Sequence, residues 1–272
     1  MLKIQNTLFT LTTLLYLVSI WTIFATANLT GYSHLLLKMT QENGFFETSS
    51  VVWLFFIFIY GIYTLIKYKN RLSRYATIAI GVFAIFAFLG AMEEISWGQQ
   101  LFHFSSTDYF MKHNLQQETN LHNLIDANLF SSIIYSNIYI FCLYIPLLVK
   151  LFPTLIERFK LLEYFDINPH AILVVLFSSA FQKYFYNDIG VITDMVTHIV
   201  ALALFGYFLF LYRGDRWLNI HFGLVLLTTV VAISSYRVFD FFNAQYEIRE
   251  SFVVLASLLI YIELIKKEKL KV

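Results

Sequence analysis

Long uninterrupted apolar runs constrain this chain more than any other feature of its sequence. Of its 272 residues, 58% are hydrophobic and only 14% are charged. In soluble domains, by comparison, roughly a quarter of all residues are charged. The apolar residues fall in blocks of roughly 17–22, the length that crosses about 30 Å of hydrocarbon as a helix. No β-barrel alternation is visible, so helices are the spanning structure that remains. The sequence predicts an all-α, polytopic membrane helical bundle.

The charges that end the apolar runs set the boundaries of eight predicted transmembrane helices. They lie near residues 7–27, 48–66, 76–95, 129–149, 171–187, 192–212, 217–236 and 250–265. The first run resembles a signal peptide, but its apolar stretch is longer than in most signal peptides. We interpret it as a retained helix. We find no linker, repeat or low-complexity segment and predict a single integral membrane domain over residues 1–272.

The basic residues are distributed unevenly along the chain and predict its orientation. With both termini in the cytoplasm, the inner segments hold fourteen of the 19 basic residues. The outer segments hold Lys38, Lys112, Lys183, Arg237 and Arg249. This agrees with the positive-inside rule. Most acidic residues fall on the opposite, outer side, so we expect the functional site there. The net charge of +1 gives no argument for a nucleic-acid partner.

Residues 90–124, GAMEEISWGQQLFHFSSTDYFMKHNLQQETNLHNL, concentrate the polar chemistry of the chain directly after an apolar run. Its acidic residues and histidines are Glu93, Glu94, His103, Asp108, His113, Glu118 and His122. Ionisable groups in a bilayer cost on the order of 2.5–3.5 kcal/mol each at mid-depth and less near the interface. A functional role is the interpretation that best accounts for seven of them.

If the third predicted helix continues past Met92, Glu93, Ser96, Gln100 and His103 share one of its faces. Such a stripe indicates either the lining of a cavity or an interfacial helix whose polar side meets lipid headgroups. Trp97, within the same stretch, could stack on a sugar or headgroup or act as an interfacial belt residue.

A second repeat places Asn114, Glu118, His122 and Asp126 four residues apart, which is one face of a helix. The segment is too polar to span and is expected to be interfacial or re-entrant. Glu118 and His122 could chelate one metal ion or form a hydrogen-bonded pair. An amphipathic surface helix is the alternative.

Two further groups of ionisable residues lie near other predicted spans. Asp194 and His198 are four residues apart at the start of the sixth span, where they could act as a general base, a metal-ligand pair or a structural hydrogen bond. Arg237 and Arg249, in the last outer loop, could hold an anionic headgroup or pair with neighbouring acids. His34, His170 and His221 are treated as background.

The motifs Glu93-Glu94-Ile-Ser-Trp-Gly-Gln and Asn114-x-Gln116-x-Glu118-x-Asn120-Leu-His122-Asn123 resemble an uncharacterised family of bacterial multi-pass membrane proteins. The likeness covers most of the chain. It implies a polytopic fold and a bacterial cytoplasmic (inner) membrane, with the site on the extracytoplasmic face by the charge bias, but it implies no reaction.

Two weaker likenesses are to classes of membrane-embedded hydrolases. The paired Glu93 and Glu94 resemble the glutamates of CAAX-type intramembrane proteases, although Gly98 stands where those proteases carry an arginine. Asp194-x-x-x-His198, with Ser96, His103 and Asp108, is similar to the scattered zinc ligands of alkaline-ceramidase-like hydrolases, which have a histidine pair where this chain has Asp194 and His198. Both are analogies of class.

The sequence supports the hypothesis of a membrane-embedded hydrolase or transferase acting on a lipid or lipid-linked substrate. Glu93 or Glu94 would be the general base, and we expect one of these carboxylates within about 10 Å of His198 and His122, since buried charges need partners. His103, His122, Asp194 and His198 would be metal ligands or proton-transfer partners. Zinc suits such a mixed His and carboxylate set, with Glu118, His122, Asp194 and His198 as its predicted ligands.

Two other classes stay open at this stage. One is an ion- or proton-coupled transporter, and the other is a non-enzymatic membrane subunit that presents its outer loops to a partner. Substrate-binding roles are assigned to Trp97, Gln100, Asn114, Arg237 and Arg249. We find no Gly-x-Ser-x-Gly elbow, P-loop or His-Glu-x-x-His motif, and the sequence does not determine the oligomeric state.

The charge bias makes a testable prediction about topology. Labels or reporter fusions at residue 70 should report the cytoplasm, and those at residue 118 the outer side, because the basic loops are retained inside. Cysteine-labelling with a membrane-impermeant reagent checks this. Labelling of 70 from outside and of 118 from inside would move the site to the cytoplasmic leaflet.

Overall fold

The computed structural model of the chain describes residues 38–39, 44–114, 117–121, 124, 127–182, 189–212, 215–234 and 244–270. Within these ranges all regular structure is helical, which confirms the predicted all-α class. Five helices are long and apolar enough to cross a membrane: Phe45–Lys67, Arg74–Glu94, Ile133–Leu151, Ile192–Leu211 and Arg216–Ser234. The predicted span 7–27 lies outside the described residues. A total of eight spans stays a prediction.

We number the helices in chain order. They are α1 (Phe45–Lys67), α2 (Arg74–Glu94), α3 (Gln99–Phe102), α4 (Asp108–His113), α5 (Ala127–Tyr139), α6 (Ile145–Leu151), α7 (Thr154–Arg158), α8 (Pro169–Ser178), α9 (Ile189–Leu211), α10 (Arg216–Ser234) and α11 (Ala244–Leu270). A π-helical turn, Ile140–Tyr144, joins α5 to α6. It precedes Pro146, which cannot donate a helical hydrogen bond, and α5 and α6 continue as one apolar stretch.

Helix α8 covers only part of the predicted span 171–187: it ends at Ser178 after ten residues, and residues 183–187 lie outside the described ranges. Ten helical residues rise about 15 Å, half of the hydrocarbon thickness. Asn168 caps its start by accepting a hydrogen bond from the His170 N–H at 2.9 Å. Side chains 170–178 are all buried. A segment that is apolar on every side is suited to the centre of a core, and α8 lies between α11 and α10.

Contacts between helix ends define two ends of the bundle. At the acidic end, where α1, α5, α9 and α11 begin and α2 finishes, Ser49 and Ser251 share a hydrogen bond of 2.7 Å. At the basic end, Asp166 binds Lys150 and Lys267. Burial raises the pKa of the Asp166 carboxyl, but the hydrogen bond and charge of Lys150, with those of Lys267, lower that pKa below its ordinary value.

Gly61 allows α1 to approach its two neighbours closely, and its replacement gives a stability prediction. A Cβ at Gly61 would lie 2.3 Å from Tyr261 Oη and 2.8 Å from Ala84 Cβ. We expect Gly61→Ala to destabilise the bundle by about 1–3 kcal/mol, as overpacking does in other cores. Thermal unfolding in detergent, followed by size-exclusion chromatography, measures it. Gly223→Ala is the matched control, because a Cβ there meets nothing within 4 Å. A Gly61→Ala variant as stable as that control would contradict the prediction.

Candidate functional site

The chain leaves α2 through a turn with left-handed backbone conformations. Ser96 and Trp97 have φ angles of 48° and 55°, and Gly98 follows with 91°. Such conformations cost about 1–3 kcal/mol for residues other than glycine and persist where surrounding contacts impose them. The turn ends the helix at Glu94, so the helical face expected to join Glu93 to His103 does not form. His103 is exposed and itself has a left-handed φ of 54°.

A hydrogen-bonded group of four side chains holds this turn, and we call it the clasp: Ser96, Asn114, Glu118 and Asn120. Ser96 Oγ donates to Glu118 Oε2. Asn120 Nδ2 donates to that same oxygen and to Ser96 Oγ, each at 3.1 Å. Asn114 Nδ2 donates to Asn120 Oδ1 at 2.8 Å. Charge-assisted bonds to a carboxylate are stronger than neutral ones, so Glu118 is the centre of the clasp.

Further contacts fix the rest of the loop against the end of α2. Gln99 Oε1 accepts from the Thr119 N–H at 2.8 Å. Glu93 uses both carboxylate oxygens, accepting from Trp97 Nε1 at 2.5 Å and from the Leu121 N–H at 2.6 Å. Residues 117–121 form bends and no helix. The four-residue spacing of Asn114 and Glu118 therefore does not describe a helical face; Asn114 Oδ1 lies 3.4 Å from the Glu118 N–H instead.

Glu94 points into a different environment from its neighbour Glu93. Its carboxyl lies within hydrogen-bonding distance of Glu250, with Glu47 and Glu247 close enough to interact electrostatically. We call Glu47, Glu94, Glu247 and Glu250 the four-glutamate cluster. An ionised carboxylate only accepts hydrogen bonds, so a bond between Glu94 and Glu250 requires a proton on one of them. The pair is an acid and a base side by side.

Arg249, predicted to bind substrate, is buried beside this cluster. Its side chain is 5% exposed and its Nη1 lies 3.7 Å from Asp194 Oδ2. Its guanidinium stacks 3.7 Å from the centre of the Tyr135 ring, and Tyr139 lies close by. Its acidic partner, Asp194, belongs to α9 and not to the last outer loop, whose charges were expected to pair with one another. Its Nε is buried without a hydrogen-bond partner among the described residues.

His198 and Asp194 share helix α9 but have separate partners. His198 is fully buried, with Nδ1 2.7 Å from Ser179 Oγ and Nε2 2.9 Å from Thr229 Oγ1. The structural hydrogen bond is thus the alternative realised for His198. Ser178, the neighbour of Ser179, faces Tyr139, which in turn faces Arg249.

The predicted metal ligands do not come together in the part of the chain that is described. No group of three His, Cys, Asp or Glu residues there could hold a metal ion. Glu118 serves the clasp, Asp194 faces Arg249, and both His198 nitrogens are hydrogen-bonded. His122 and Arg237 lie outside the described residues, as does the side chain of Gln100. The convergence of His122 on the site stays a prediction.

Two members of the four-glutamate cluster, Glu47 and Glu250, are not among the site residues predicted from the sequence. The available signal was positional, because both stand in the first turn or two of a helix that begins at the end where α2 finishes at Glu94. The spacing of polar residues along the sequence does not specify which faces of α1, α2 and α11 pack together.

Comparison of the chain with protein-family models, with curated proteins and with solved structures found no match.

The clasp predicts a local loss of order when its carboxylate is removed. Glu118→Ala leaves Ser96 and Asn120 without their shared acceptor, and we expect a local cost of about 1–3 kcal/mol. Hydrogen–deuterium exchange across residues 93–121 should rise while exchange in α10 is unchanged. Asp108→Ala, an exposed acid at the start of α4, is the matched control. Equal exchange in the two variants would argue against the clasp.

Proposed function

We propose that this integral membrane protein is a hydrolase or transferase that acts on a lipid or lipid-linked substrate, with Glu94 and Glu250 as its acid–base pair. The observation that carries the proposal is the hydrogen-bonding distance between these two carboxyl groups, with Glu47 and Glu247 adjacent. Paired carboxyls whose protonation states differ are a recurring arrangement in acid–base catalysis.

The chemistry assigns a role to each member of the pair. The ionised carboxylate accepts a proton from water, or from a hydroxyl acceptor in a transferase, as that oxygen attacks the substrate. The protonated carboxyl donates its proton to the leaving group, so one proton enters the pair and one leaves it. Arg249 adds positive charge beside the pair, which suits a substrate with an anionic group.

The surroundings of the pair support a substrate that arrives from the lipid. The four glutamates are half-buried at the point where α2 ends. Beyond it, Trp97, Leu101 and Phe102 are exposed by 40%, 62% and 78%. Exposed aromatic residues at the end of a spanning helix are typical of the headgroup region. By the charge bias of the loops, this end faces outward from the cytoplasmic membrane.

The predicted zinc site stays a separate expectation. The donor atoms of Glu118, Asp194 and His198 are directed to other side chains, and the fourth predicted ligand, His122, lies outside the described residues. Glu94 and Glu250 need no repositioning to exchange protons.

A proton-coupled carrier is the second candidate, and helix α8 favours it. This helix is buried along its length and stops inside the bundle, next to Ser179 and His198. Helices that stop within the membrane are a feature of secondary transporters, whose binding sites lie at the broken ends. The same glutamate pair would then load and release the coupling proton.

Neutralising either carboxyl tests the proposed chemistry. The purified protein, in nanodiscs of native lipid extract, is assayed by mass spectrometry for time-dependent conversion of any lipid species. Glu94→Gln and Glu250→Gln should each lower the rate by about 10²–10⁴-fold, the range lost with a general acid or base. Asp108→Asn, an exposed acid outside the cluster, should retain the wild-type rate.

Two outcomes would count against the enzyme. Conversion that is equal in wild type and both glutamine variants removes the acid–base role. The second outcome is that the wild-type protein converts no lipid and instead drives uptake into proteoliposomes with a pH gradient, in a manner that requires Glu94. That result would identify the protein as the carrier and not the enzyme.

A further inference from the structure

Arg249 on α11 leaves part of its hydrogen-bonding capacity unused at the acidic end of the bundle. The rings of Tyr135 and Tyr246 lie 3.7 Å and 5.5 Å from its guanidinium carbon. Rings over a guanidinium cover its flat faces and leave its N–H bonds, which lie in the plane, for acceptors. Asp194 Oδ2 stands 3.7 Å from Nη1, beyond hydrogen-bonding distance, and Nε has no partner among the described residues. The edge of this buried cation is therefore incompletely satisfied.

A guanidinium with unused donors along one edge fits an oxygen anion. Phosphate presents oxygens at the spacing of the guanidinium fork, so one phosphate can accept hydrogen bonds from Nε and from a neighbouring Nη of Arg249. A buried N–H without an acceptor is destabilising, so a ligand oxygen at Nε would remove that cost. The carboxylate of Asp194 is 46% exposed and makes no hydrogen bond to Nη1 that a phosphate would have to break.

The four-glutamate cluster lies next to this edge. Glu250 follows Arg249 on α11, and Tyr135, whose ring contacts the guanidinium, is close enough to Glu250 to interact with it electrostatically. Carboxylates gathered at one point repel one another, and a cation placed among them lowers that repulsion. A ligand that extends from Arg249 to the cluster would therefore meet a positive group first and negative groups next.

The chemistry of the cluster favours a primary ammonium over a quaternary one. Carboxylate oxygens accept hydrogen bonds, and a primary ammonium supplies three N–H donors to them. A quaternary ammonium has no such donor and is recognised by the faces of aromatic rings. Tyr135 and Tyr246 present ring faces to the guanidinium of Arg249 instead.

We propose that the acidic end of the bundle binds a zwitterionic lipid headgroup of the phosphoethanolamine type. Its phosphate would lie on the edge of Arg249, and its primary ammonium would bind Glu47 and Glu247, the two members of the cluster outside the acid–base pair. The inference rests on the proposed function and names the headgroup of the lipid on which Glu94 and Glu250 would act. The exposed Trp97 just beyond α2 is consistent with a position at headgroup depth.

The lipid selectivity of the full-length protein tests this inference. The protein in detergent is titrated with phosphatidylethanolamine, phosphatidylcholine and phosphatidylglycerol of identical acyl chains, and native mass spectrometry measures each Kd from the mass of the bound lipid. Phosphatidylcholine keeps the phosphate and the positive charge but has no N–H donor, and phosphatidylglycerol keeps the phosphate alone. We expect the wild type to bind phosphatidylethanolamine at least about tenfold more tightly than the other two, roughly the factor that one charge-assisted hydrogen bond supplies.

Two variants separate the two ends of the headgroup. The double variant Glu47→Gln/Glu247→Gln should abolish the preference for phosphatidylethanolamine without weakening the binding of phosphatidylglycerol. Arg249→Gln should weaken all three lipids, because each carries the phosphate. Asp108→Asn, which changes an exposed acid outside the cluster, should keep the wild-type selectivity. Size-exclusion chromatography checks that the variants are folded, and the double variant carries the comparison alone where Arg249→Gln does not fold.

Equal affinity of the wild type for phosphatidylethanolamine and phosphatidylcholine would overturn the inference and identify the bound molecules as nonspecific annular lipid. A preference that survives unchanged in the double variant would overturn it as well. Because binding is measured without turnover, the two proposals fail separately. Loss of selectivity in a protein that converts lipid through Glu94 removes only the headgroup assignment, and selective binding without conversion removes only the acid–base role.

Discussion

The buried charge of Arg249 determines which side chains pack around it at the acidic end of the bundle. A guanidinium in a low-dielectric interior is tolerated only with an opposite charge and polar or aromatic groups around it. Arg249 on α11 finds them in Asp194 on α9 and in the ring of Tyr135 on α5. These contacts join three helices that are distant in sequence. The next residue of α11, Glu250, lies within hydrogen-bonding distance of Glu94.

The polar residues of the motif that follows α2 form two groups: most bond to one another within the loop, and one contacts another helix. Adjacent Glu93 and Glu94 have different roles: Glu93 binds backbone and indole N–H groups within the loop, and Glu94 meets Glu250. The remaining polar residues of the motif, Ser96, Asn114, Glu118 and Asn120, bond to one another. Their contacts stabilise a left-handed turn that serine and tryptophan would not adopt alone. The clasp thus holds the end of α2 in place.

The two ends of the bundle differ in the chemistry they offer. The acidic end presents carboxyl groups that can share a proton, whereas the basic end presents lysines, with Asp166 compensating Lys150 and Lys267. Between them lie His198 and the buried helix α8.

The sequence by itself determined the membrane class, the helical fold and the approximate limits of the long helices, because apolar length and terminal charges are local properties of the chain. It also marked residues 90–124 and Asp194, His198 and Arg249 as unusual for a bilayer. Tertiary structure decided which of these groups meet. Helical spacing placed Asp194 and His198 together, yet they face different neighbours, and it extended α2 beyond the left-handed turn. Apolar length predicted a span over residues 171–187, whereas the described part of that stretch holds the ten-residue α8, which is buried on all sides. Partners such as Glu250 for Glu94, or Asp194 for Arg249, come from other helices, and no local periodicity specifies which faces pack together.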